Sequence, residues 1–458
     1  MKLFRRVILI SVAAIVSYFI YYAWVSLPVA TSYAAKVVCS AVFISERNEK
    51  SVINDDLDFF PVSFSHVDVD RENKVVSTSV FGLAKRKAIY RDGLGATLVN
   101  DVSLDALRAQ QMILPPPPPI NADSLAWPNG NKIQHAFPVN VDSARVMRAV
   151  DRVFEQDNSK FKNETRALIV LYDGQIIAER YANGFNQDMP LPGWSMTKSI
   201  TGAMVGLLVK QGKLRVDDPA PVAAWQNDKR KNITIRHLLQ QTSGLRFDEV
   251  YSKNSHATRM LFLKGDASAY AASLPLENEP GTQFSYSSGN SNILSRIIRE
   301  AVGDGAYYRF PYGQLFYKLG MFHTILEPDA GGTFVGSSYC YATARDWARF
   351  ALLYYNDGIV NGERILPEGW VKESVQPSIA AKRGEYGYQW WLNAGRGRDR
   401  FTRMYQSLPT DMYYADGYEG QNIFIIPSKK LIVVRLGITR NKTWAEENLI
   451  SELIGATK

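Results

Sequence analysis

Apolar residues are spread along the chain in three distinct patterns. From Val7 to Ala35 no charged residue occurs, and Val7 to Trp24 is almost entirely apolar. A run with no polar face predicts a helix surrounded on all sides by apolar medium. At about 1.5 Å per residue it is long enough to cross most of a bilayer. Its outer half carries Tyr18, Phe19, Tyr21, Tyr22 and Trp24, as an interfacial aromatic belt would, and Lys2, Arg5 and Arg6 precede it. Basic residues on that side keep the N-terminus in the cytoplasm and send the body of the chain outward. A cleaved signal segment is the rival reading, with Ser32-Tyr33-Ala34 as the small-residue cleavage site, although the apolar run exceeds a usual signal core.

The second pattern is alternation between turn signals. Residues 166–172 and 175–181 flank Asp173-Gly174, and residues 422–426 and 431–434 flank 427–430. Each pair predicts an antiparallel hairpin. The third pattern is helical. Ile200, Ala203, Met204, Leu207 and Leu208 recur at the spacing of one helix face, and Gly212 ends that helix. Strands at both ends with helices between them predict an α+β fold whose sheet is closed by the two ends of the segment. Residues 36 to about 110 mix short apolar runs with turns such as Arg91-Asp92-Gly93, and five prolines, 115–119, form a stiff connector. The expected divisions are therefore a membrane segment at 1–35, an N-terminal extension at 36–120 and a main domain at 121–458.

Composition narrows the function classes. Of the net charge of +8, three units precede the apolar run, leaving +5 dispersed among acidic residues, so no nucleic-acid partner is expected. The five histidines lack H-x-x-H or H-E-x-x-H spacing, so no metal or other cofactor is expected. Cys39 and Cys340 are the only cysteines, and an exported domain would permit them to pair.

Candidate chemistry gathers at three places. Ser195 and Lys198 stand three residues apart at the start of the predicted helix, so their side chains share a face. A serine nucleophile whose proton is handled by lysine needs this arrangement, and a helix N-terminus favours developing negative charge. Ser159 and Lys162 match the same Ser-x-x-Lys spacing with no apolar helix behind them, so context decides between the two. The α/β-hydrolase signature Gly-x-Ser-x-Gly is absent. Further on, Tyr286 lies in the polar cluster Phe284-Ser-Tyr-Ser-Ser-Gly-Asn290, where a neighbouring cation could fit it for acid–base work. Finally, residues 416–421 lead into the last hairpin, where glycines would let the backbone approach a substrate.

Together these elements resemble the penicillin-recognising serine hydrolases: class C β-lactamases, D-alanyl-D-alanine carboxypeptidases, related esterases and 6-aminohexanoate-dimer hydrolases. Residues 212–214, 217–219, 235–239, 242–245 and 344–350 carry the likeness further. It implies a β-lactamase/transpeptidase-like fold, an antiparallel sheet flanked by helices plus a mostly helical lobe, here preceded by one transmembrane helix. It also implies acylation of Ser195, activation by Lys198, proton delivery by Tyr286, and an oxyanion hole made by the N–H groups of Ser195 and Gln421. Two departures stand out. Ser288 occupies the place where many relatives have asparagine, and Tyr418-Glu419-Gly420 stands where β-lactamases have Lys-Thr-Gly, removing the cation that receives the antibiotic carboxylate. With residues 245–249, Ser288 brings the chain nearest the aminohexanoate-hydrolase and esterase branch. The expectation is a serine hydrolase of an ester or linear amide, with Ser288, Tyr418 and Gly420 supporting the substrate. It would be held by a single pass in a bacterial inner membrane, with its catalytic domain in the periplasm or outside the cell. A catalytically weak envelope protein binding peptidoglycan-like fragments, and a D,D-carboxypeptidase, remain as alternatives.

Overall fold

The computed structural model describes residues 2–133, 137–155, 162–397, 399–440 and 443–457. The side chains of Lys2 and Phe19, and Ser159 to Phe161 of the second Ser-x-x-Lys match, lie outside that description.

The apolar N-terminal run folds as one helix, α1 (Lys2–Phe43). Its two halves have opposite surroundings. Described side chains from Phe4 to Tyr22, and Trp24, are exposed, whereas Ala30 to Val42 are buried. The helix therefore does not stop where the uncharged run ends at residue 35. It continues as a core element of a unit made of residues 1–110, 248–267 and 328–332. In that unit, strands β1 (His66–Asp70), β2 (Val75–Val80), β3 (Leu83–Arg91) and β4 (Gly95–Leu98) form an antiparallel sheet in sequential order. Thr78 Oγ1 donates to the Thr31 carbonyl and Thr31 Oγ1 to that of Ala84, both at 2.7 Å. Phe43 stacks on Tyr90. The later segments join through polar side chains: Asn100 Nδ2 donates to the Phe262 carbonyl, Thr97 Oγ1 to that of Pro328, and the Gly265 N–H to the Asp101 carboxylate.

The second unit comprises residues 111–247, 268–327 and 333–458. After α2 (Ser143–Phe154) come β5 (Asn163–Tyr172) and β6 (Gln175–Tyr181), joined by Asp173 and Gly174 at positive φ as the hairpin requires. The longest helices that follow are α3 (Thr197–Lys210), α4 (Ser288–Val302) and α5 (Ala344–Tyr355). The chain closes with β7 (Trp391–Leu392), β8 (Tyr413–Gly417), β9 (Gln421–Ile426), β10 (Leu431–Thr439) and α6 (Glu446–Ala456). The antiparallel sheet runs β7-β8-β9-β10-β5-β6, so the last strand pairs with the first of the segment. On one face, Leu168, Val170, Phe424 and Val433 pack with Val146 and Val150 of α2 and Leu449 and Leu453 of α6.

Helix α3 differs from its predicted amphipathic form, because every residue from Thr197 to Leu208 is buried. Glycines allow close packing on the positions expected to be outward: Gly202 lies against Tyr388 and Gln389, and Gly206 against the Trp370 indole. Helix α3 is thus a central rod.

The 344–350 motif proves to be a tether. Arg345 forms a two-pronged pair with Glu179 at 2.8 Å. Arg349 bonds Asp346 and donates to the carbonyls of Pro128 and Gly130, fixing the segment after the proline connector. Asp346 is fully buried and also accepts from the His323 N–H and the Thr324 hydroxyl. Arg349→Met is expected to cost about 3–5 kcal/mol in a denaturant titration, because it leaves that carboxylate buried without its cation.

The disulfide expectation is corrected. Cys39 and Cys340 are not joined. Each is fully buried within its own unit, Cys39 in α1 and Cys340 in a short strand of the second unit. Burial pushes the Cys340 thiol well above its ordinary pKa, so it is held as a packed, protonated group.

Candidate active site

The turn that presents Ser195 is strained and closely packed. Trp194 has φ +46°, a conformation a bulky side chain rarely adopts. Its indole is fixed edge-on by Tyr339 and Tyr418. The preceding Gly193 meets the fully buried Trp347, since a Cβ there would lie 2.2 Å from the indole ring. Gly193→Ala must displace either the turn bearing Ser195 or Trp347. A loss of about 1–3 kcal/mol in thermal or chemical unfolding is expected, with reduced turnover if the turn is what moves.

Ser195 lies in the 3₁₀ turn Trp194–Met196, which runs directly into α3. It is half-buried, hence within reach of a small molecule, whereas Lys198 is only 1% exposed. Lys198 Nζ donates to Ser195 Oγ at 2.9 Å, to Ser288 Oγ at 3.0 Å and to the Ser337 carbonyl at 3.0 Å. It also lies 4.9 Å from the centre of the Tyr286 ring. That ring is stacked on Trp391 and met edge-on by Tyr386. The geometry thus brings together Ser195, Lys198, Tyr286 and Ser288. Ser288 is the first residue of α4, after the cap Ser287, whose hydroxyl accepts from the Asn290 N–H.

Behind these groups is a buried polar frame. Asn292 grips Ser337 twice, donating to its hydroxyl and accepting from its N–H. Ser291 donates to Gln389, whose backbone carbonyl accepts from Ser199. Ser337 and Asn292 are missing from the sequence-based set. Ser337 contributes a backbone carbonyl, which has no side-chain signature, and only the small polar run 336–338 hinted at it.

The β8–β9 hairpin flanks the turn bearing Ser195: a Cβ on Gly417 would lie 2.2 Å from the Gly193 carbonyl oxygen. The strand register determines which N–H groups face outward. The Asn393 N–H donates to the Met412 carbonyl, extending the Trp391–Tyr414 and Leu392–Tyr413 pairing. In an antiparallel ladder, alternate residues point to opposite neighbours. Tyr414 and Asp416 therefore direct their backbone groups toward the β7 side, while Gly417 faces Gln421 on β9. Gln421 is turned into the ladder, and its side-chain amide is held by the Tyr418 carbonyl and by Gly437. Because β7 begins only at Trp391, opposite Tyr414, the N–H of Asp416 faces an unpaired edge.

The remaining predicted residues sit in the turn. Tyr418 packs on Trp194, and Gly420, at φ +80°, lies where a Cβ would press on Arg435, Thr439 and Trp444. Asp416 is exposed as a residue, but burial around its carboxyl group pushes the pKa of that group up to about 6, and one oxygen accepts from Asn422 Nδ2 at 2.8 Å. Among the described residues, no group of three or more His, Cys, Asp or Glu side chains is arranged to hold a metal.

Comparison with known proteins follows the same outline. The family model for β-lactamases matches residues 150–448. The chain is 26% identical over 300 residues to the 6-aminohexanoate-dimer hydrolase of Paenarthrobacter ureafaciens, covering 59% of this chain and 72% of that one. Among solved structures, EstCE1, a hydrolase with promiscuous acyltransferase activity, superposes with a TM-score of 0.55 at 15% identity, covering 69% of this chain and 99% of its own. The octameric penicillin-binding protein homologue of Pyrococcus abyssi gives 0.50 at 16%, covering 69% and 78%. At these identities the two structures bear on the fold alone.

Proposed function

Because the chain belongs to the β-lactamase family, whose fold is shared by serine hydrolases that include 6-aminohexanoate-dimer hydrolase and esterases, we propose that it hydrolyses an ester or linear amide through an acyl-enzyme on Ser195. The observation that carries this reading is the contact of Lys198 Nζ with Ser195 Oγ, held from behind by Ser288 and Ser337. Ser195 Oγ attacks the substrate carbonyl carbon as its proton passes to Lys198 in its neutral form. The tetrahedral oxyanion is held by the N–H of Ser195 and a second N–H from the β8–β9 hairpin. For that donor the register favours Asp416 over Gln421, whose N–H faces Gly417 across the ladder. Collapse breaks the bond to the leaving alkoxide or amine, which takes a proton through Tyr286. Water then adds to the acyl carbon, gives its proton back through the same groups and releases the acid, restoring Ser195.

The sign of the nearby charge supports esters and linear amides over β-lactams. Strand β8 carries the Asp416 carboxyl rather than a cation, and above about pH 6, where that group is ionised, an antibiotic carboxylate would meet like charge. We further read α1 as a membrane anchor that keeps the hydrolase outside the cytoplasm. One helix segment, Phe4–Phe43, is long and apolar enough to cross a bilayer. The test is turnover of p-nitrophenyl esters and 6-aminohexanoate oligomers by the full-length protein in detergent, with benzylpenicillin in parallel. Ester or amide turnover with slow or absent penicillin hydrolysis supports the reading. Penicillin as the best substrate, or folded protein inert to all three classes, overturns it.

A further inference from the structure

The first unit carries an exposed aromatic surface that the hydrolase reading does not use. Phe60 (69% exposed), Phe64 (53%), Phe81 (83%) and Leu83 (65%) are open to solvent. Phe64 touches both Phe60 and Phe81, with ring centres 6.0 and 6.2 Å apart. Exposed large apolar side chains that cluster mark a contact surface.

The contacts between α1 and the sheet give this surface a direction. Ala84, near the start of β3, is bonded to Thr31, whereas Tyr90, near its end, stacks on Phe43. The twelve-residue advance along α1 from Thr31 to Phe43 covers about 18 Å, and the six-residue advance from Ala84 to Tyr90 about 20 Å. Strand and helix therefore run side by side in the same sense. The β2–β3 turn, carrying Phe81 and Leu83, points back along α1 toward its exposed apolar half. The segment bearing Phe60 and Phe64 lies at the same end, since Phe59 meets Tyr33 edge-on at 5.5 Å.

Position along the helix follows from the rise. Phe4 to Trp24 spans about 30 Å, the thickness of a hydrocarbon core. Thr31 lies about 10 Å beyond Trp24, and the turn at Gly82 reaches back about 7 Å from Ala84. The aromatic cluster thus falls at the level of the lipid headgroups. Lys85 follows Ala84 on β3 and is exposed.

We propose that Phe60, Phe64, Phe81 and Leu83 form a second membrane contact, embedded in the headgroup layer of the bilayer that α1 crosses, with Lys85 directed at anionic lipid phosphates. Aromatic rings suit that layer, which wets one end of a side chain and not the other. Such a contact fixes the first unit against the membrane surface instead of leaving it to swing on α1. The inference rests on the anchor reading of α1, and its test separates the two.

Single cysteines are introduced in the full-length chain as Phe81→Cys, Ile15→Cys and Glu72→Cys and labelled with an environment-sensitive fluorophore. The native thiols are buried and do not compete. Each protein is reconstituted in vesicles of phosphatidylcholine containing about one-third phosphatidylglycerol, with a quencher on shallow acyl positions. At least twofold quenching at positions 15 and 81, with none at 72 in the distal β1–β2 turn, is expected. Replacing phosphatidylglycerol by phosphatidylcholine should weaken quenching at 81 only. Quenching at 15 without quenching at 81 overturns the inference and leaves the anchor standing. An unquenched position 15 overturns the anchor, and equal quenching at 81 and 72 contradicts the proposed orientation. Insensitivity of position 81 to anionic lipid removes Lys85 from the contact.

Discussion

Ser195→Ala is expected to lower kcat/KM for an activated ester by about 10⁴-fold or more, with an unchanged melting temperature. Loss of the proposed nucleophile would leave only substrate binding and the oxyanion donors, and effects of that size follow when residues act as one catalytic unit. The side chain is small and half-buried, and its replacement removes a hydroxyl without opening a cavity in the core. A loss below about tenfold would mean that another group is acylated, or that water is activated directly.

Lys198→Met separates catalysis from stability more sharply. Lysine is 1% exposed and donates to two hydroxyls and a carbonyl. Removing the proposed proton carrier should lower kcat by about 10²–10⁴-fold, the usual range for a general acid–base group. The melting temperature should hold or rise, since an apolar side chain of similar length removes a buried amine's desolvation cost. Parallel losses of activity and stability would instead mark Lys198 as a packing residue. Assaying both variants by ester turnover and by differential scanning calorimetry distinguishes these cases.

Local signals were legible in the sequence, and long-range ones were not. The Asp173-Gly174 hairpin and the closing pair of strands needed only alternation and turn chemistry, and β5 and β10 do pair at the centre of the sheet. The Ser195–Lys198 pair needed only helical spacing. The burial of α3 on all sides could not be read from its apolar stripe, because Gly202 and Gly206 pack through what their neighbours supply. The four-stranded sheet of the first unit was hidden because β3 spells Leu-Ala-Lys-Arg-Lys at its start, and because segments 248–267 and 328–332 complete that unit from far along the chain. The roles of the Ser337 carbonyl and of the Asp416 edge depend on backbone register, which no single residue type encodes. Pairing of Cys39 with Cys340 was open for the same reason: a count of cysteines carries no distance.

Ser195 is proposed to form the covalent intermediate. The most direct measurement is mass spectrometry of the full-length protein after reaction with a fluorophosphonate, first intact and then as a peptide map. One adduct per chain on the peptide containing Ser195, absent in Ser195→Ala and strongly slowed in Lys198→Met, is the predicted result. A folded, unmodified protein, or an adduct on any other serine, would contradict it.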